Sequence, residues 1–158
     1  IEGEPNQKIY YNISISDKKL ERENNNNYKD STIYIDKTFG NISNNDVDNF
    51  AFINNSADLK IDFQLDENSS NDIFKIGILN LAGVPIASKT EFVSENNFSV
   101  NFDKYNLKKG EYYILSLKRQ NSNGGTLNYN LAIDGAKKVV SKNEIAYTEL
   151  YKNRGVIL

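Results

Sequence analysis

The sequence contains no cysteine, histidine, methionine or tryptophan, and these absences remove several kinds of chemistry. Without histidine or cysteine there is no Ser-His-Asp triad, no cysteine nucleophile, no disulfide, no iron–sulfur cluster and no zinc site of the usual kind. Carboxylates, lysines, tyrosines and hydroxyls remain, and two carboxylates are enough for a glycosidase. Such enzymes usually need a larger scaffold with a deep cleft, so we expect a protein that is not an enzyme.

The sequence also lacks a long apolar run and an excess of charge of one sign. No stretch approaches the roughly 20 apolar residues that a membrane-spanning helix needs. Lys and Arg number 19 against 21 Asp and Glu, and the resulting net charge of -2 argues against a nucleic-acid-binding protein. The 158 residues, 39% of them hydrophobic, suit one globular domain with one core. Because the chain begins with Ile1 rather than methionine, we expect a module of a longer protein.

Alternation of apolar and polar residues is the main pattern along the chain, and stripes with helical spacing are almost missing. Residues 59–65 give the clearest case, with Leu, Ile, Phe and Leu separated by Lys, Asp and Gln. This period of two is typical of a strand with one face in the core and one in water. The same criterion predicts strands at residues 9–15, 32–39, 49–53, 59–65, 74–79, 85–92, 98–102, 112–117 and 127–133.

Short, turn-rich connections separate the predicted strands. Residues 81–85 indicate a tight hairpin, and residues 66–72 and 121–125 are polar or glycine-containing loops. The short spacing predicts an all-β fold, an antiparallel two-sheet β-sandwich of jelly-roll type over residues 1–134. Residues 135–158 form a C-terminal extension. That segment is either an edge strand or linker toward a neighbouring domain, or a segment that wraps the sandwich or pairs with another chain.

Three segments carry a resemblance to a known family. They are EGEPN at residues 2–6, GNISNNDVDNFAF at residues 40–52 and KGEYYILSL at residues 109–117. In this order they resemble the bacterial pre-peptidase C-terminal domain, and within it the collagen-binding domains of clostridial collagenases. The resemblance covers about residues 2–134. It implies a jelly-roll β-sandwich that is not catalytic and belongs to a secreted or cell-surface bacterial peptidase.

Two groups of oxygen-bearing side chains suggest a calcium site. Calcium prefers six to eight oxygen ligands, and carboxylates and amide oxygens supply them. The first group, within residues 2–6, alternates along an extended segment, so its side chains project to one side. The second group, within residues 45–48, lies where a strand begins. In the collagen-binding domains, segments of these two types hold calcium together. Solvated turns are also built from such residues. The candidate ligands are Glu2, Glu4, Asn6, Asn45, Asp46 and Asp48.

Consecutive tyrosines and a short basic stretch are the candidates for ligand binding. In a strand, Tyr112 and Tyr113 point to opposite faces, so one ring packs in the core and the other is available for contact. Lys118 and Arg119 offer a small basic edge for an anionic partner, although solvated strand ends have the same composition. In the collagen-binding domains, further tyrosines follow this strand; here residues 116–119 contain no aromatic residue.

Two functions remain open at the level of the sequence. The first is a calcium-binding accessory domain of a secreted bacterial protease, which binds matrix protein or substrate, including collagen, or positions the catalytic domain of the same protein. The second is a carbohydrate-binding or adhesin module of an extracellular protein, since β-sandwiches with exposed tyrosines also bind polysaccharides. A row of exposed tyrosines across one sheet would favour collagen or glycan, and a bare charged face would favour a structural spacer.

Overall fold

The fold is built almost entirely of short strands. The computed structural model describes residues 19–21, 25–66, 72–93, 95–120 and 125–137. Two 3₁₀ turns, Tyr28–Asp30 and Asp103–Tyr105, are present in this part of the chain. The strands of the described residues are β1 (Lys19–Leu20), β2 (Thr32–Ile33), β3 (Thr38–Ile42), β4 (Val47–Ile53), β5 (Lys60–Leu65), β6 (Asp72–Leu79), β7 (Pro85–Val93), β8 (Asn97–Asn101), β9 (Tyr112–Gln120) and β10 (Leu127–Asp134).

These strands form two five-stranded sheets. The first sheet has the order β1-β3-β10-β5-β8, and the second has the order β2-β4-β9-β6-β7. The pairs β1–β3 and β2–β4 are parallel, and the remaining pairs are antiparallel. The predicted all-β, two-sheet β-sandwich is therefore confirmed.

The alternating pattern places one apolar face of each sheet in a shared core. In β5, Ile61, Phe63 and Leu65 are buried while Gln64 between them is exposed. The ring of Phe63 stacks on Phe98 of β8, with ring centroids 4.6 Å apart and planes 15° apart. Burial of many such side chains is the main stabilising contribution to a fold of this kind. The other fully buried core residues include Ile42, Phe50, Phe52, Leu59, Phe74, Ile76, Ile78, Phe102 and Leu131.

One predicted strand is two strands in the structure. Residues 32–39 were expected to form one strand, but β2 lies in the second sheet and β3 in the first. Tyr34 lies between β2 and β3, where the chain crosses from one sheet to the other, and it is hydrogen-bonded to both sheets. Its backbone N donates to Ala51 O at 2.9 Å, and its hydroxyl accepts from Ile133 N at 2.9 Å. The predicted strand at residues 9–15 lies outside the described residues.

The predicted hairpin at residues 81–85 is confirmed between β6 and β7. Asn80 Oδ1 accepts hydrogen bonds from Ala82 N and Val84 N, both at 2.9 Å. Gly83 has a φ of +79°, which glycine adopts without strain. An Asn side chain that caps its own turn is a common way to close such a connection.

The chain makes further contacts with the sandwich after β10. Ala136 forms an isolated bridge with Asn54, and Lys137 N donates to Ile53 O at 2.8 Å. Residues 138–158, the rest of the predicted C-terminal extension, lie outside the described residues. Across the described ranges, no helix has the length and apolar character to cross a membrane.

Candidate functional site

A buried tyrosine lies between two carboxylates at the start of β4. Tyr129 of β10 is 1% exposed and Asp48 of β4 is 0% exposed, so both side chains are inside the sandwich. The Tyr129 hydroxyl is 2.8 Å from Asp48 Oδ2 and 2.9 Å from Glu21 Oε2. We refer to Glu21, Asp48 and Tyr129 as the carboxylate–tyrosine cluster.

The surroundings of Tyr129 keep its phenol protonated. Burial raises the pKa of Tyr129 well above its usual value, and the charges of Asp48 and Glu21 raise it further. The phenol therefore stays protonated and carries one proton to donate. That proton is donated to one of the two carboxylates at a time.

An amide oxygen beside the cluster is buried without a partner. Asn25 is 0% exposed, and its Nδ2 lies 3.4 Å from Glu21 Oε2 and 3.3 Å from Thr32 Oγ1. Among the described residues, Asn25 Oδ1 has no hydrogen-bond partner. A buried acceptor of this kind costs free energy unless a donor or a cation satisfies it. Asn25 therefore contacts Glu21 through its amide nitrogen and has an amide oxygen without a partner among the described residues.

A glycine allows the cluster to form. Gly40 lies in β3, and a Cβ atom built on it would be 2.6 Å from both the Tyr129 ring carbon Cζ and Glu21 Oε1. Such contacts are closer than packed atoms tolerate, so a larger residue would displace the tyrosine or the glutamate. The next residue supports the same arrangement, since Asn41 N donates to Glu21 Oε1.

Among the predicted metal ligands in the described part of the chain, Asp48 alone is in the carboxylate–tyrosine cluster. Asp46 instead accepts from Val47 N at 2.9 Å and Ser43 N at 3.4 Å, which closes its own turn. Asn45 is exposed in that turn with a φ of 62°. Across the described ranges, no group of three or more acidic side chains is placed to hold a metal. The predicted ligands Glu2, Glu4 and Asn6 lie outside the described residues.

Sequence reasoning missed Glu21, Asn25 and Tyr129. A signal for the first two was present, because Glu21, Glu23 and Asn25 have the same Glu-x-Glu-x-Asn spacing as residues 2–6. Tyr129 could have been found from the alternation of β10, where it shares the inward side with Leu127 and Leu131.

A band of small residues crosses the outer face of the second sheet. The strand register places one residue from each of four adjacent strands in line: Asn49 of β4, Ser116 of β9, Gly77 of β6 and Ser88 of β7. Ser116, Gly77 and Ser88 are shorter than the outward-facing residues on either side of them, so they form the floor of a shallow channel. We call it the cross-strand channel. At its β4 end, Asn49 is 2% exposed and its Nδ2 donates to Asn25 O at 2.7 Å.

The two sides of the cross-strand channel differ in character. On one side, Lys118 of β9 and Lys75 of β6 are adjacent in register. On the other, a small apolar cluster is built around Ala51 and Ile114, against which Tyr28, Ile33, Leu79, Leu81 and Tyr112 pack. A cavity of about 280 Å³ opens at the β4 end, between the 3₁₀ turn at Tyr28 and Ser116. A basic side, an apolar side and a small-residue floor suit an extended polymer.

The four predicted ligand-binding residues divide between the two faces of β9. Tyr112 is half-buried on the outer face beside the cross-strand channel, as expected for one of two consecutive tyrosines. Lys118 is on the same face. Tyr113 points inward, is 7% exposed, and accepts a hydrogen bond from Lys108 N at 3.0 Å. Its ring therefore belongs to the core.

Arg119 is a correction to the predicted basic edge, because the structure buries it to 2% exposure. Its Nε and Nη2 donate to the two carboxylate oxygens of Asp72 at 3.1 and 3.2 Å. Its Nη1 donates to the carbonyl oxygens of Ile42 at 3.0 Å and Gly125 at 2.6 Å. A guanidinium engaged in this way joins the strands and does not contact a ligand at the surface.

Comparisons with known proteins add little to this description. No protein-family model and no curated protein matches the chain. Among solved structures, an arabinose-bound α-L-arabinofuranosidase of glycoside hydrolase family 51 is similar over 54% of this chain, with 13% identity and a TM-score of 0.32. The match spans 17% of that enzyme's chain. A functional interpretation therefore depends on the site residues themselves.

Proposed function

We propose that this chain is a non-catalytic, calcium-stabilised accessory domain of a secreted bacterial protease. The observation that carries the proposal is the carboxylate–tyrosine cluster, with two carboxylates on one buried phenol. The resemblance of residues 40–52 and 109–117 to collagenase collagen-binding domains supports the same reading. In this proposal the domain binds matrix protein or substrate through the cross-strand channel, or positions the catalytic domain of the same protein.

Calcium suits the cluster for chemical reasons. Glu21 and Asp48 supply carboxylate oxygens, and Asn25 supplies an amide oxygen that has no partner among the described residues. Hard cations prefer this set of oxygens, and calcium tolerates irregular arrangements of them.

Calcium should raise the melting temperature of the purified protein. A ligand that binds only the native state stabilises it by about 2.7 kcal/mol at a hundredfold excess over Kd. For a domain of this size, that is a shift of several degrees. We expect the shift in differential scanning calorimetry with excess calcium against chelator, and its loss in Glu21→Gln and Asp48→Asn.

The control is Asp58→Asn, which changes an exposed carboxylate away from the cluster and should keep the calcium shift. A second comparison is Glu4→Gln, which tests the ligands predicted at residues 2–6. If calcium leaves the melting temperature of the unaltered protein unchanged, the metal site is excluded. If Glu4→Gln removes the shift and Glu21→Gln keeps it, calcium is bound by the N-terminal set instead.

Binding of an extended protein ligand can be tested by filling the channel floor. A Cβ atom on Gly77 would lie 3.5 Å from its nearest neighbour, Ala87 O, which is ordinary van der Waals contact. A Cβ atom therefore fits at this position, and we expect Gly77→Val to raise stability slightly because glycine is unfavourable inside a strand. We expect Gly77→Val to reduce binding to a triple-helical collagen peptide at least tenfold in surface plasmon resonance.

A second variant tests the basic side of the channel. Lys75→Ala with Lys118→Ala removes both lysines and should weaken binding most at low salt, where electrostatic attraction is least screened. Lys60→Ala, on the other sheet, is the matched control and should leave binding unchanged. If the unaltered protein does not bind the peptide, or if Gly77→Val binds as well as it does, the channel is not the binding surface.

A further inference from the structure

The outer face of the first sheet carries a row of amide side chains. The strand register aligns Asn130 of β10 with Gln64 of β5, and Gln64 with Asn97 of β8. All three point away from the core, because their neighbours in sequence include the core residues Leu131, Phe63 and Leu65. We call Asn130, Gln64 and Asn97 the amide row. Adjacent strands are about 4.8 Å apart, so the row spans about 10 Å.

An open cavity of about 530 Å³ lies over this row. The cavity is deepest at Ala132, which has the shortest side chain on that face. Ala132 is aligned with Asp62 of β5, and Asp62 is aligned with Ser99 of β8, so these three residues form a second row beside the amide row. Lys37, just before β3, also lines the cavity. The volume falls within the range of about 300–1,000 Å³ that is usual for ligand sites.

The amide row has unused hydrogen-bonding capacity. Within the described ranges, no side-chain hydrogen bond engages the amide of Asn130, Gln64 or Asn97. Each amide offers an acceptor oxygen and two N–H donors, a combination that matches neighbouring hydroxyl groups, which both donate and accept. Water can occupy these groups in the free protein, and a ligand with several hydroxyls can replace that water.

The carboxylate beside the row is already paired. Asp62 Oδ1 is 2.9 Å from Lys60 Nζ and also accepts from Ser99 Oγ. Although partial burial raises the pKa of Asp62, the bonds from Ser99 and Lys60 outweigh it and hold the pKa below its usual value. Both partners contact Oδ1, so Oδ2 remains as an acceptor beside the amides. The amides carry no charge, and the charge of Asp62 is offset by Lys60, so this face favours an uncharged ligand.

We propose that the amide row binds a neutral, extended polysaccharide chain that lies across the strands. Such a chain presents pairs of hydroxyls at intervals comparable with the spacing between strands, so successive amides can contact successive sugars. Phe39 of β3 is aligned with Asn130 at the end of the row, and a half-buried ring there can contact the apolar face of a sugar. This site is on the sheet opposite the cross-strand channel and does not depend on calcium.

The test is a binding titration with cellohexaose and chitohexaose, followed by NMR chemical shifts and by calorimetry. We expect millimolar or tighter binding to at least one of them, with the largest shifts on β5, β8 and β10. Gln64→Ala with Asn130→Ala should weaken that binding about tenfold, since each lost neutral hydrogen bond contributes about 0.5–1.5 kcal/mol. The double variant alters outward-facing residues, so its melting temperature should stay close to that of the unaltered protein.

The control is Gly77→Val, which fills the channel on the other sheet and should leave saccharide binding unchanged. Loss of collagen-peptide binding in Gly77→Val with intact saccharide binding would separate the two surfaces. The proposal is overturned if neither saccharide binds at millimolar concentration, or if binding persists in Gln64→Ala with Asn130→Ala. Either result leaves the calcium and channel proposals to be judged by their own experiments.

Discussion

Replacing Arg119 with alanine should lower the free energy of unfolding by about 3–5 kcal/mol, the effect expected when a buried ion pair loses one partner. The guanidinium is 2% exposed and makes two bonds to Asp72. Without it, Asp72 stays buried with no compensating charge, and the carbonyl groups of Ile42 and Gly125 lose a donor. For a domain whose total stability is about 5–15 kcal/mol, this is a large loss.

Urea unfolding followed by circular dichroism measures this effect. Lys118→Ala is the matched control, since Lys118 is the preceding residue of β9 but lies on the outer face, and it should change stability by less than about 0.5 kcal/mol. Asp72→Asn combined with Arg119→Ala should be less destabilised than the sum of the two single variants. A loss below about 1 kcal/mol for Arg119→Ala would show that the pair is not important for stability.

Replacing Gly40 with alanine should lower stability by about 4–6 kcal/mol in saturating calcium. About 1–3 kcal/mol comes from overpacking, because the new methyl would be 2.6 Å from Tyr129 and from Glu21. The remainder is the calcium stabilisation, which is lost when those two side chains move apart. In chelator, only the overpacking part should remain.

Calorimetry with and without calcium separates the two contributions. Gly77→Ala is the control, because its new methyl has its nearest neighbour at 3.5 Å and should cause no overpacking. If Gly40→Ala keeps the full calcium shift, calcium is not bound at the carboxylate–tyrosine cluster. If Gly40→Ala is as stable as the unaltered protein in chelator, the close approach to Tyr129 is not a constraint.

Most of the fold could be predicted because alternation is a local property. The runs in β5, β6, β9 and β10 show which residues face inward without any knowledge of the partner strands. Alternation does not show which sheet a strand joins. Residues 32–39 therefore looked like one strand, although the crossing at Tyr34 divides them between the two sheets.

The same alternation contained information on the polar interior that the predictions did not use. Arg119 shares the inward side of β9 with Leu115 and Leu117, and Asp48 shares that of β4 with Phe50. A charged residue at an inward position indicates a buried partner, but the partner is distant in sequence. Asp72 lies 47 residues from Arg119. Local patterns do not reveal such pairings, so the carboxylate–tyrosine cluster required the three-dimensional structure.

The positions of β1 and β10 on either side of β3 bring the start of one strand close to the end of the other. Lys19 and Leu131 are both in register with Thr38, and β10 runs antiparallel to β3 while β1 runs parallel to it. The chain therefore enters β1 and leaves β10 at the same end of the first sheet, about 10 Å apart across two strand spacings. These two points of the described fold are therefore neighbours, and a short linker would be enough to join them.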